Sequence, residues 1–173
     1  MPLRPPPPPR RAGRRGPATW VPPGRALHLH DVENMAGCAR PTRSLLRTVR
    51  AQVDQVAPPR HGDHVIAGSN PCVVPWAAPV WSAGQWVGRH GADGADHALL
   101  AMADPEDVAA RYARLVIGSG DHAFTDLALA ARLLGVEVWV LARPGSLARG
   151  LEAAAHRVCL LPDGLGLVDG WAA

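Results

Sequence analysis

Ala26-Leu27-His28-Leu29-His30-Asp31-Val32-Glu33-Asn34 is the stretch whose reading decides the fold of this chain. An apolar-rich run of strand length closes on an acid, and a carboxamide follows three residues later. Open α/β sheets place ligand chemistry at the C-terminal ends of their strands. Two further acidic junctions follow the same plan, Gly91-Ala92-Asp93-Gly94-Ala95-Asp96 and Gly118-Ser119-Gly120-Asp121. Leu115-Val116-Ile117, just before the last of these, is the continuous apolar run expected of a central parallel strand buried on both faces. Parallel strands bring all such junctions to one sheet edge. The pattern therefore predicts a shared carboxylate pocket, whose hard oxygen donors suit Mg²⁺ or Mn²⁺.

Outward from that stretch the chain alternates between strand and helix periodicity. Strands are expected at 26–30, 64–67, 85–88, 115–117, 136–141 and 158–161. Helices are expected at 41–56, 95–102, from 105 for a turn or two, 123–134 and 146–155. In the longest of these, Leu45, Leu46, Val49, Val53 and Val56 form the apolar stripe, and Pro41 suits a first helical turn. Pro71, Pro75 and Pro79 leave room only for a short or broken helix before the third strand. Gly135 sits where a helix C-terminus needs one. The expected fold is a Rossmann-like three-layer α/β/α sandwich on a mainly parallel, doubly wound sheet with right-handed crossovers.

Length and composition bound the rest. The 173 residues, 47% hydrophobic, are enough for one domain with a core. Residues 1–25 read as a disordered Pro/Arg-rich tail, 26–163 as the domain and 164–173 as a C-terminal tail. All 18 basic residues are Arg; six fall in residues 1–25 without an acid, against twelve Arg and fifteen acids afterwards. The basic character thus belongs to the tail, a weak electrostatic arm for a polyanion or a dispensable extension, and the domain is mildly acidic. Cys38, Cys72 and Cys159 fit neither a disulfide framework nor a zinc spacing and read as buried thiols in a reducing compartment. No run is long enough for a membrane span and no secretory leader is evident, so a cytoplasmic protein without a membrane partner is expected.

The missing motifs exclude several chemistries. Gly118-Ser119-Gly120 lacks the Gly-Lys-Ser/Thr ending of a phosphate loop, and no Gly-x-Gly-x-x-Gly follows the first strand. No Gly-x-Ser-x-Gly elbow is present either. The candidate site residues are Asp31, Asp96 and Asp121 as carboxylate ligands, with Asn34 and Ser119 as direct or supporting oxygen donors. Arg89 is the first choice for gripping phosphate, followed by Arg40 and Arg43. His28 and His30 share one face of the first strand and read as a helix-covered, hydrogen-bonded pair. His97 and His122 follow motif acids and read as solvent-facing helix starts. Trp76, Trp81 and Trp86 offer base stacking, although packing under a loop is the plainer account.

Asp31-Val32-Glu33-Asn34, Gly94-Ala95-Asp96-His97-Ala98-Leu99-Leu100 and Ile117-Gly118-Ser119-Gly120-Asp121-His122-Ala123-Phe124 resemble, in order and spacing, the three motifs of NYN domains in the PIN-like nuclease superfamily. The resemblance covers about residues 26–161. It implies a Rossmann-like sandwich and Mg²⁺- or Mn²⁺-dependent ribonuclease activity leaving 5′-phosphate ends. Asp31, Asp96 and Asp121 become metal ligands, Asn34 the polar partner after the first strand, and Glu33 has no role. Many members carry a second acid at the third motif where this chain has Ala123. Asp126, one turn later, is either a partial substitute as a metal ligand acting through water or a solvated first-turn acid. RNA is the expected partner, with a homo-oligomer also open. The alternatives are a weakly active RNA- or partner-binding module and a small-molecule phosphoesterase.

Overall fold

The computed structural model describes residues 24–91 and 93–162. Six strands form one all-parallel sheet: β1 Ala26–Asp31, β2 His64–Gly68, β3 Gln85–Val87, β4 Arg114–Gly118, β5 Glu137–Ala142 and β6 Arg157–Leu160. Their spatial order is β3-β2-β1-β4-β5-β6, so the winding reverses between β1 and β4. Those two strands are buried along their whole lengths, as the apolar runs at 26–30 and 115–117 required.

The helices are α1 Val32–Ala36, α2 Arg43–Val56, α3 Val74–Ala77, α4 Gly94–Leu100, α5 Pro105–Arg111, α6 Thr125–Leu133 and α7 Arg149–Ala154. The period-two alternation of β1 sorts its side chains between two apolar layers. Leu27 and Leu29 pack with Leu99, Val108, Leu127 and Leu151 of α4 to α7. Ala26 lies on the other face with Met35, Leu46, Val53 and Trp81, under α1, α2 and the α3 region. The three-layer sandwich is therefore built as the sequence predicts.

Several boundaries move for local reasons. α2 begins at Arg43 because the Thr42 side chain accepts a hydrogen bond from the Leu45 N–H (3.2 Å), and Pro41 precedes that cap. The helix expected from 123 opens as a 3-10 turn, His122–Phe124, before α6 begins. Gly135, at φ 87°, stops the chain after α6. α1 was not anticipated at all; five residues are too few to show a 3.6-residue period. Cys38 and Cys72 are exposed and Cys159 is half-buried, which corrects the expectation of buried thiols. Among the described residues no helix is long and apolar enough to cross a membrane. Nearly all of both expected tails lies outside the described residues. Arg25 is described, and its Nε donates to the Arg111 carbonyl (2.9 Å).

Candidate functional site

The reversal of winding opens a crevice above the C-terminal ends of β1 and β4, where doubly wound sheets take their ligands. Asp31, the last residue of β1, stands on one side, and Asp121, just beyond β4, on the other. Gly68 is the register partner of Asp31 on β2. A Cβ at Gly68 would sit 2.6 Å from Cγ and Cδ1 of Leu99. Glycine there lets α4 settle onto the sheet, which brings Asp96, in the first turn of α4, against Asp31.

The resulting cleft has a volume of about 210 Å³ and is lined by five carboxylates, those of Asp31, Glu33, Asp93, Asp96 and Asp121. Arg89 is the single cation among its described lining residues. Asp31 and Asp96 are buried, and a carboxyl–carboxyl hydrogen bond links them when one holds a proton. Burial is the largest influence on both. It and the contact with Asp96 push Asp31 up to about 8, while burial and the charges of Asp121 and Asp93 raise Asp96.

Two of the acids divide their oxygens between structure and site. Asp31 Oδ1 accepts from the Glu33 and Asn34 N–H groups (3.1 and 3.0 Å), capping α1. Asp121 Oδ1 accepts from the Ala123 N–H (2.8 Å) and caps the 3-10 turn. Asp93 takes a left-handed backbone (φ 55°) and makes no side-chain cap bond to α4. Outside glycine that conformation is tolerated best by Asn and Asp.

These acids suit a metal only if their donor set fits one. Asp96 Oδ1 is buried without a hydrogen-bond partner among the described residues. Such an oxygen is costly to leave unpaired and suits a cation. Among the described residues, no three His, Cys, Asp or Glu side chains converge closely enough to make a complete cage. Mg²⁺ does not need one; it keeps several waters and is commonly held by one or two carboxylates. The residues present fit a hydrated hard cation and do not fit a tetrahedral zinc site.

Of the expected site residues, Asp31, Asn34, Asp96, Asp121 and Arg89 all line the cleft. Asn34 does so as a clip: its Oδ1 accepts from the Gly120 N–H (3.0 Å), joining the two rims instead of offering that oxygen to a metal. Ser119 is fully buried, and its Oγ accepts from the Asp121 N–H (3.2 Å), so it supports the loop from behind. Three expectations are corrected. Arg40 and Arg43 are exposed and do not line the cleft, because α1 carries the chain away before α2 begins. Asp126 is exposed in the first turn of α6 and also lies outside the cleft lining, so it is the solvated acid and not the substitute ligand.

Glu33 and Arg143 were missed. Glu33 Oε1 accepts from Ser69 Oγ (2.7 Å) and the Asn70 N–H (2.6 Å), tying the end of β2 to α1. Arg143 Nε donates to the Asn34 carbonyl (3.2 Å). It directly follows β5, so the rule that sites gather at strand C-termini could have found it. His97 and His122 are exposed, as read. His28 and His30 are covered by helices, but His28 Nδ1 and His30 Nε2 have no partner among the described residues, against the expectation of full satisfaction. Burial keeps both rings neutral, with His28 lowered to about 4. Trp81 is buried and donates Nε1–H to His30 Nδ1 (3.3 Å), whereas Trp76 is exposed.

No protein-family model matches the chain, and no curated protein matches it. Among solved structures it is similar to a protein of unknown function from Vibrio parahaemolyticus, with a TM-score of 0.57 and 16% identity. The match covers 82% of this chain and 94% of that one. At that identity the likeness concerns the fold.

Proposed function

We propose that the chain is a divalent-metal-dependent ribonuclease of the NYN, PIN-like kind. The observation that carries this reading is the buried Asp31–Asp96 pair with an unpartnered Asp96 Oδ1, set in a carboxylate cleft at the winding reversal. Asp31 and Asp96 would hold Mg²⁺ or Mn²⁺ directly and Asp121 through its water shell, and the cation when bound would supply Lewis-acid polarisation of a phosphodiester. Burial and the contact with Asp96 favour the protonated form of Asp31, which would have to release that proton to hold a cation. Arg89, exposed on the rim, adds positive charge for the phosphate. The Asn34–Gly120 clip and the Arg143 contact fix the spacing of the two rims that carry Asp31 and Asp121.

The test is incubation of the purified chain with an RNA oligonucleotide in Mg²⁺ and in Mn²⁺. The parent cuts, and Asp96→Asn cuts on the order of 100-fold more slowly. RNA left intact in both metals overturns the proposal. A second reading, an RNA-binding module without hydrolysis, is favoured by the missing three-acid cage among the described residues. Undiminished RNA binding without cleavage would support it.

A further inference from the structure

A second concavity shares a wall with the carboxylate cleft. It lies between α3 and β3, the edge strand of the sheet, and its volume is about 350 Å³, near the lower end of small-ligand sites. Pro71, Val74, Pro75 and Ala78 form one side, and Trp86, Val87 and Gly88 the other. No charged residue is among this described lining. Trp86 is half-buried, packed against the apolar layer that holds Trp81.

The chain passes between cleft and groove twice. Asn70 lines the cleft and Pro71 the groove; Gly88 lines the groove and Arg89 the cleft. Hydrogen bonds hold these two crossings to each other and to the acids. The Ser69 N–H donates to the Val87 carbonyl (3.2 Å), which joins the ends of β2 and β3. The Asn70 N–H donates to Glu33 Oε1 on the cleft side (2.6 Å). On the groove side, Asn70 Oδ1 accepts from the Cys72 N–H (3.0 Å) and the Asn70 carbonyl from the Val73 N–H (2.8 Å), at the entry to α3. The groove is thus fixed relative to the carboxylates, and continuity makes its occupant a part of whatever molecule the cleft holds. An indole ring among proline and aliphatic faces offers a nucleobase a stacking surface and no hydrogen-bond code.

We propose that this groove is a base-stacking subsite, taking the base of a nucleotide next to the phosphate in the cleft. The subsite presupposes the ribonuclease reading of the cleft and adds two properties to the substrate: it is single-stranded at that nucleotide, and any base serves there. A paired base keeps its faces stacked in the duplex and cannot enter. The probe is a short single-stranded RNA in Mn²⁺, whose cleavage position is first mapped with the parent protein. Two further oligonucleotides then carry an abasic nucleotide on one or the other side of the cut bond. The parent cuts one of these with a kcat/KM about ten-fold below that of the intact RNA, and a complementary strand suppresses cutting. Trp86→Leu removes the stacking ring, and Ala78→Gln, exposed at the end of α3, fills the groove without touching the core. Each variant cuts intact and abasic RNA alike. Every protein serves as its own reference in that ratio, so a loss of stability in Trp86→Leu does not imitate the result. RNA left uncut by the parent overturns the ribonuclease reading and the subsite with it. RNA cut without an abasic effect, discrimination that survives in both variants, or a duplex cut as fast as the single strand overturns the subsite alone.

Discussion

At the scale of single residues, the motif acids show that capping a helix and serving a site are compatible. Asp31 and Asp121 each spend Oδ1 on backbone N–H groups, which holds the carboxyl in place, and both still line the cleft. From sequence, cap and ligand look like rival explanations for the same acid; the two oxygens of a carboxylate let both be true. The raised Asp31 has a consequence for stability. An acid whose folded pKa lies above its unfolded value binds its proton more tightly in the native state. Stability is then fullest below the unfolded value, near 4, and falls as pH climbs toward about 8. The metal-free protein is expected to lose stability across that window, by at most about 1.4 kcal/mol per pH unit from this group. Asp31→Asn keeps an Oδ1 for the cap and removes the titration. Its thermal unfolding should be less pH-dependent than the parent's, and its melting temperature at pH 8 higher. Parallel pH profiles for the two proteins would refute this.

At the scale of elements, what was legible depended on length and period. β1 and β4 announced themselves as apolar runs, and α2 through a stripe sustained over four turns. α1 and the His122–Phe124 turn did not, because a single turn carries no periodic signal and is stabilised by one carboxylate cap each. Missing the 3-10 turn had a cost. A continuous helix from 123 would set Asp126 one turn along the face of Ala123, whereas Asp126 stands in solvent in the first turn of α6. The two acids should therefore behave differently under calorimetric Mn²⁺ titration and thermal unfolding. Asp121→Ala loses a cap, at a cost of about 1 kcal/mol, and also weakens the cation. Asp126→Ala does neither. Weakened Mn²⁺ binding in Asp126→Ala would restore the role first assigned to it.

At the scale of the whole molecule, the order of the strands turns scattered acids into one cleft. Asp31, Asp96 and Asp121 come from three junctions, and only the reversal between β1 and β4, with α4 pressed over Gly68, gathers them. Alternation of strand and helix made the sandwich, and the edge that carries the cleft, readable in advance. The tertiary ties through Glu33 and Arg143 were not, since each joins residues distant in sequence. The gathered charge makes the cleft a source of repulsion, because five carboxylates line it against one Arg among the described residues. A bound cation relieves that repulsion in the native state alone, so binding must appear as stability. Mn²⁺ at a hundred-fold excess over its Kd should add about 2.7 kcal/mol, a rise of roughly 5–10 °C for a domain of this size. The gain should be larger at pH 8 than at pH 6, where the cation must first displace the proton from Asp31. It should largely vanish in Asp31→Asn, whose cleft has already been relieved of one charge and offers the cation one carboxylate fewer. If Mn²⁺ stabilises Asp31→Asn as much as the parent, the cation is bound elsewhere and the cleft is not its site.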